Sequence, residues 1–157
     1  MIVVDLMFRV AYRCAYRLMR LYWGAVHPNT HGALVAVWWQ GQILLVRNSY
    51  VPYYSLPGGY VRPWESGTQA AVRELLEETG LAARPEQLRR AVDLTHEWEG
   101  KRDHVEIFEL DVTERPRVQV DNREVVAAEF FTPEAAQALD LFPPIRDAIR
   151  HHLARRN

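Results

Sequence analysis

Cysteine and lysine are nearly missing from this chain. Cys14 is the only cysteine, which excludes an internal disulfide and the thiolate clusters of structural zinc sites. Lys101 is the only lysine among 19 basic residues, so arginine carries almost all of the positive charge. An excess of either sign is missing too: 19 basic residues face 20 acidic ones, for a net charge of −1. Nothing in that balance points to a polyanion as a bulk partner, and nucleic acid is not expected. The sequence also lacks internal repeats and low-complexity linkers. What remains is an ordinary globular composition, 48% apolar and 25% charged, in 157 residues. That is enough for one domain with a proper core.

The informative stretch is GYVRPWESGTQAAVRELLEETGL, from Gly59 to Leu81. Ser66 and Gln69 form a capping-box pair and Gly80 is a stop signal, so a helix is predicted to open at Ser66 and end at Gly80. Ala71, Val72, Leu75 and Leu76 recur at helical spacing and form its expected apolar face. Glu74, Glu77 and Glu78 stand at i, i+3 and i+4, so their carboxylates leave one side of the helix. Three neighbouring negative charges repel one another and gain little as plain helix surface. A hard divalent cation bound through oxygen, Mg²⁺ before others, turns that repulsion into a site.

Gly59, five residues, Glu65, seven residues, Arg73-Glu74-Leu75, one residue, Glu77-Glu78, one residue, Gly80-Leu81: this order resembles the Nudix hydrolase box at every defined position. The resemblance implies an α/β fold, an α/β/α sandwich around a mixed sheet. It also implies a cytoplasmic hydrolase of phosphoanhydride bonds in nucleoside diphosphates linked to another group. Mg²⁺, with Mn²⁺ as a substitute, is expected on Glu74, Glu77, Glu78 and the carbonyl of Gly58. Arg73 is expected to orient these groups by pairing with Glu65 or Glu77. The general base in such hydrolases is a box glutamate or a glutamate from a loop ahead of a late strand. Glu124 best matches the loop residue, with Glu129 in reserve, so Arg73, Glu77, Glu78 and Glu124 form the expected catalytic set. Arg47 is a candidate for a substrate phosphate and Trp98 for the base. Relatives acting on ADP-ribose carry a proline some way after the box, and those acting on dinucleoside polyphosphates a tyrosine. Thr95–Trp98 holds neither, which leaves nucleoside triphosphates and nucleotide sugars as the favoured substrates. A catalytically silent nucleotide-binding module is the alternative.

Residues 1–30 read as a helix and connector ahead of one domain, 31–157. Residues 2–23 are apolar or aromatic except for Asp5 and an arginine stripe at Arg9, Arg13, Arg17 and Arg20. Those charges disfavour a membrane span, and they fit a signal peptide poorly. Two readings stand: the wide apolar face packs on the domain or on a second copy as a homodimer, or it makes a peripheral membrane contact. His27–Gly32 reads as a turn-rich connector whose two histidines are solvated or ligating. Ala33–Trp39 and Ile43–Arg47 read as a hairpin. Tyr53, Tyr54 and Trp64 are available to stack on a base or to pack on the core. Pro85–Gln87 is a turn, and strands follow at Ala91–Thr95, His104–Thr113 and Val125–Phe131, with a polar loop at Glu97–Asp103. The alternation slips at Ile107 and Phe108, which predicts a bulge or burial on both faces. Thr132 caps a short helix. Pro143-Pro144 opens the last one, with Ile145, Ile149 and Leu153 buried and His151 and His152 at the surface.

Overall fold

The apolar run after Gly32 and the run after Gly41 turn on one another through Gln40 and Gly41, whose φ values of 47° and 78° are both left-handed. Such a two-residue turn matches the twist of a hairpin. It pairs Trp38 with Ile43 and Trp39 with Gln42. In the computed structural model, which describes residues 2–156, α1 spans Ile2–Val26, followed by β1 (Asn29–Trp39), β2 (Gln42–Asn48), β3 (Tyr54–Ser55), β4 (Gly58–Tyr60) and α2 (Gly67–Thr79). A single 3₁₀ turn at Pro85–Gln87 leads to β5 (Arg89–Trp98) and β6 (Lys101–Val112). Then come β7 (Val125–Phe131), α3 (Pro133–Gln137) and α4 (Pro144–Arg156).

The sheet order is β3-β2-β1-β6-β5, with β4 added on β1 and β7 on β2. Among the strand pairs of the described residues only β1 and β6 run parallel, in register from Asn29 and Arg102 to Trp39 and Val112. β1 is buried on both faces, as parallel strands usually are. Leu34, Ala36 and Trp38 enter a core with Ile145, Ala148 and Ile149 of α4. Ala33, Val35 and Val37 enter a second core with Ala70, Ala71 and Leu75 of α2. The result is the expected α/β/α sandwich around a mixed sheet.

Several elements depart from the sequence reading. β1 starts at Asn29, so His31 lies inside a strand, where its Nε2 meets Glu106 at 2.6 Å. The polar loop after β5 shrinks to Glu99-Gly100, because β5 and β6 pair as far as Trp98 and Lys101. Opposite Ile107 and Phe108 the register shifts between Arg90 and Val92, and Val105–Leu110 is buried throughout; bulge and two-sided burial both occur. On α4 the inward stripe is Ile145, Ala148, Ile149 and His152, not Leu153. His152 stacks on Trp38 with ring centroids 3.5 Å apart, while Leu153 is exposed. On α2 Leu76 is exposed, and Glu78 takes its expected place among the buried residues.

The largest departure is α1, which docks with its polar stripe inward. Arg9 Nε donates to the Asn122 carbonyl at 2.8 Å and Arg13 Nε to the Ser49 carbonyl at 2.9 Å. Arg20 lies 3.7 Å from Glu99, and Asp5 pairs with Arg123 at 3.0 Å. Trp23 is buried, with the Lys101 ammonium 4.6 Å from its ring centroid. The rim of the domain offers carbonyl and carboxylate oxygens at this point, and long arginines reach them. Leu6, Met7, Val10, Leu18 and Leu21 are consequently left exposed. No helix among the described residues is long and apolar enough to cross a membrane.

Candidate functional site

The polar end of α2 faces a cleft of about 550 Å³ that α1, β4, β5 and the Asp121–Val125 loop also line. The local sequence explains how α2 is held there. The Ser66 side chain accepts from Gln69 N–H while Gln69 accepts from Ser66 N–H, and Gly80 closes the helix at φ 71°. Gly58 runs so close to β1 that a Cβ would sit 2.3 Å from the Ala33 carbonyl oxygen, at φ 151°. A Cβ on Gly59 would lie 2.6 Å from Glu74 Oε1. Only glycines let β4 and the carboxylates come this close.

Arg73 organises the carboxylates. Its guanidinium donates to Glu65 at 2.6 and 3.1 Å, to Glu77 at 3.2 Å and also to Glu74. The same group reaches the Tyr60 carbonyl at 3.2 Å. Its hydrogen bonds hold the Glu65 carboxyl down to about 2. Glu78 turns the other way and accepts the Gly58 N–H at 2.9 Å. Burial pushes the Glu78 carboxyl up to about 8, with Glu74 and Glu124 adding repulsion. Burial likewise raises Glu74 and Glu124. Glu124 accepts from the Tyr50 hydroxyl at 3.0 Å, and burial keeps that phenol a donor by raising its pKa. The loop behind Glu124 is fixed by Asp121, whose carboxylate takes the N–H groups of Arg123, Glu124 and Val125 at 3.0–3.1 Å.

Glu74, Glu77, Glu78, Glu124, Arg73, Gly58 and Trp98 therefore all border one cleft, as Arg47, Glu129 and Glu65 do not. Arg47 is exposed on β2 between its partners Tyr54 and Ala127. Glu65 stands behind Arg73. Trp98 is half-buried at the end of β5, with its Nε1 3.5 Å from the Tyr53 hydroxyl. Trp64, 79% exposed, lies outside the cleft. Of the aromatics offered for stacking, Tyr53 lines the cleft and Tyr54 does not. Sequence reasoning missed Tyr50 and the α1 residues Tyr12, Tyr16, Met19 and Trp23, which also line it. The α1 set recurs at three- and four-residue spacing on the stripe that carries the arginines, and that spacing was the available signal.

No three His, Cys, Asp or Glu side chains among the described residues are gathered closely enough to hold a metal ion as they stand. Arg73 draws Glu74 and Glu77 aside, while Glu78 is occupied by Gly58. The donor set itself fits a hard cation. It is all oxygen. Beyond the effect of burial, Glu74 and Glu124 push up Glu78, Glu74 pushes up Glu124, and Glu77 pushes up Glu74, a repulsion that a divalent cation would relieve.

The sequence matches the family description "NUDIX domain" over residues 29–152. A Bacillus subtilis protein whose name proposes an 8-oxo-dGTP diphosphatase is 56% identical over 55 residues, which cover 34% of this chain and 37% of that protein. The Ap4A hydrolase of C. elegans, in a binary complex, superposes with a TM-score of 0.69 at 25% identity, over 80% of this chain and 96% of that one. The NUDIX domain of Shewanella oneidensis NrtR, complexed with ADP ribose, reaches a TM-score of 0.70 at 15% identity, over 82% and 89% of the two chains. At that identity the likeness shows the fold alone.

Proposed function

The chain belongs to the Nudix family, and on that premise we propose that it hydrolyses a phosphoanhydride bond in a nucleoside diphosphate linked to another group. Nucleoside triphosphates and nucleotide sugars are the favoured substrates. The observation that carries the reading is the meeting of Glu74, Glu77, Glu78 and Glu124 in one cleft beside the close-approach glycines. The solved relative named for Ap4A supports a nucleotide ligand, as does the name of the Bacillus subtilis relative, of which the match spans little more than a third.

Glu74, Glu77 and Glu78, with the Gly58 carbonyl, are the residues to hold Mg²⁺ or Mn²⁺. A bound cation supplies positive charge against the phosphate oxygens. Arg73 acts on position: its fork fixes Glu74 and Glu77 relative to Glu65, and it must release at least part of that grip when a cation arrives. Glu124 is the proton acceptor. Its raised pKa makes it a stronger base than an ordinary carboxylate, and the Tyr50 hydroxyl keeps one of its oxygens in place.

A second reading, a nucleotide-binding module without turnover, is favoured by the hold of Arg73 on Glu74 and Glu77. The two are separated by a panel of nucleoside triphosphates, nucleotide sugars, ADP-ribose and dinucleoside polyphosphates, assayed with Mg²⁺ and with Mn²⁺. Cleavage of at least one compound, abolished by EDTA, is expected. Hydrolysis that persists in excess EDTA refutes the metal-assisted reading. Binding without cleavage of any compound moves the chain to the module reading.

A further inference from the structure

The cleft is walled by two chemically unlike sets of residues. One is the carboxylate set on α2 and the Glu124 loop. The other is mainly apolar and aromatic, Trp98, Tyr53 and Phe142 from the domain and Ala15, Tyr16, Met19 and Trp23 from α1, with Glu99, Lys101 and Asp103 as its polar members. Tyr53, Trp98 and Phe142 meet one another with ring centroids 5.9–6.1 Å apart. Tyr16 meets Trp23 edge-on at 6.0 Å.

Resting on the reading above, we infer that α1, which lies outside residues 29–152, is the specificity-determining wall of the cleft. Ala15, Tyr16 and Met19 receive the nucleobase, with buried Trp23 anchoring the helix, while the diphosphate lies against the carboxylates. An amphipathic cleft selects an amphipathic ligand. A bare polyphosphate would leave the aromatic wall facing water, and a purely apolar molecule would leave the carboxylates without a cation–phosphate partner. Every base has a π-face, so the wall demands a flat ring more than it demands a particular base.

The wall is also held in place. The Tyr16 hydroxyl donates to Glu99 and sits 3.4 Å from the Tyr53 hydroxyl. Trp23 is fixed beneath Lys101, whose Nζ donates to the Tyr60 hydroxyl at 2.8 Å. α1 thus meets the domain through long side chains, and the space left beneath the helix is part of the cleft. Ala15 and Met19 border that space without anchoring the helix, and they are the positions to change.

Calorimetric titration with Mg²⁺ present uses two kinds of probe: the α,β-methylene analogues of ATP, GTP, CTP and UTP, and methylenediphosphonate, which has no ring. Met19→Ala removes part of the wall and Ala15→Phe fills the space. Leu18→Ala on the outer face of the same helix is the control. The best-bound nucleotide analogue should bind both cleft variants about fivefold or more weakly, while methylenediphosphonate binds them as it binds the wild type. Leu18→Ala should match the wild type with every probe. In turnover the loss should fall on KM with kcat nearly kept. Nucleotide affinities unchanged in both cleft variants, equal losses for ringed and ringless probes, or a wild type that binds no nucleotide analogue would each overturn the inference. The hydrolase reading fails separately, on a wild type that cleaves none of the diphosphate panel. A ring-selective loss of binding would uphold the role of α1 even then.

Discussion

α1 and α2 both line the cleft, yet their side chains are arranged by different rules. α2 is specified from within. Its cap, its stop and its three carboxylates are set by spacing along the helix, and its apolar stripe goes to the core. α1 is specified from outside. Its arginines turn toward the domain because Ser49, Asn122 and Glu99 present oxygens there, and its apolar side faces away. A helix whose partners are local can be read from its own sequence. A helix whose partners lie more than a hundred residues away, as Asn122 does from Arg9, cannot.

The comparison breaks most sharply at Trp23. Trp23→Ala removes the one fully seated aromatic of α1 and should loosen the helix by about 3 kcal/mol. Amide exchange across α1 should then accelerate about a hundredfold while α2 keeps its protection. Equal acceleration in both helices would mean that α1 and α2 open as one unit.

On α2 the decisive change is Glu78→Gln. A neutral amide is a poor ligand for a hard cation and cannot supply the negative charge, so kcat should fall by at least about a hundredfold with the fold intact. Near wild-type turnover of a cleaved substrate by a folded Glu78→Gln protein would sink the assignment of this face.

How far the sequence could be read follows the same division. Ser66, Gln69 and Gly80 gave the ends of α2, and the box spacing gave Glu74, Glu77 and Glu78, because each of these depends on neighbours within a turn or two. Glu124 was placed by its position ahead of a late strand, and the structure brings it into the cleft beside Glu78. Two readings of α2 and α4 missed for one physical reason. Hydrophobicity assigned Leu76 and Leu153 to the interior, but helical phase gave those places to Glu78 and His152, whose polar atoms found partners inside. Tyr12, Tyr16, Met19 and Trp23 had a legible spacing, but the surface they would meet was not in the local sequence.

Glu78 also gives α2 a pH dependence of its own. In the unfolded chain its carboxyl has an ordinary value near 4.5, and in the folded protein it is pushed up to about 8. Between those limits the folded state holds a proton that the unfolded state has lost, so stability falls as pH rises. Glu74 and Glu124 shift in the same direction. Glu65, held down to about 2, works the other way and loses its contribution only as pH falls below the ordinary carboxylate range. His31 and His96, held down by burial, work against this by adding stability as pH rises through the histidine range. The metal-free protein should show a net loss of about 4 °C in Tm between pH 5 and pH 8. Glu78→Gln should flatten the trend, and millimolar Mg²⁺ should raise Tm more at pH 8 than at pH 5. A Glu78→Gln protein with the same Tm trend as the wild type over this range would contradict the protonated, buried Glu78.

The smallest effect is expected on the outer face of α1. Leu21 is 72% exposed, more than any other large apolar side chain of the helix among the described residues, and it does not line the cleft. Replacing it by glutamine removes little buried area and creates no unpaired buried polar group. Leu21→Gln should therefore change stability by less than about 0.5 kcal/mol and leave kcat and KM alone. The same substitution is a sensitive probe of what meets that face. In a dimer joined through α1, Leu21 would be covered by the second copy, and a polar group there would lower the mass seen by light scattering and the Tm together. On a lipid surface it would weaken co-sedimentation with vesicles and leave mass and Tm unchanged. Indifference in all these measurements would mean that the apolar side of α1 stays in water, and that the helix is kept for its inner side alone.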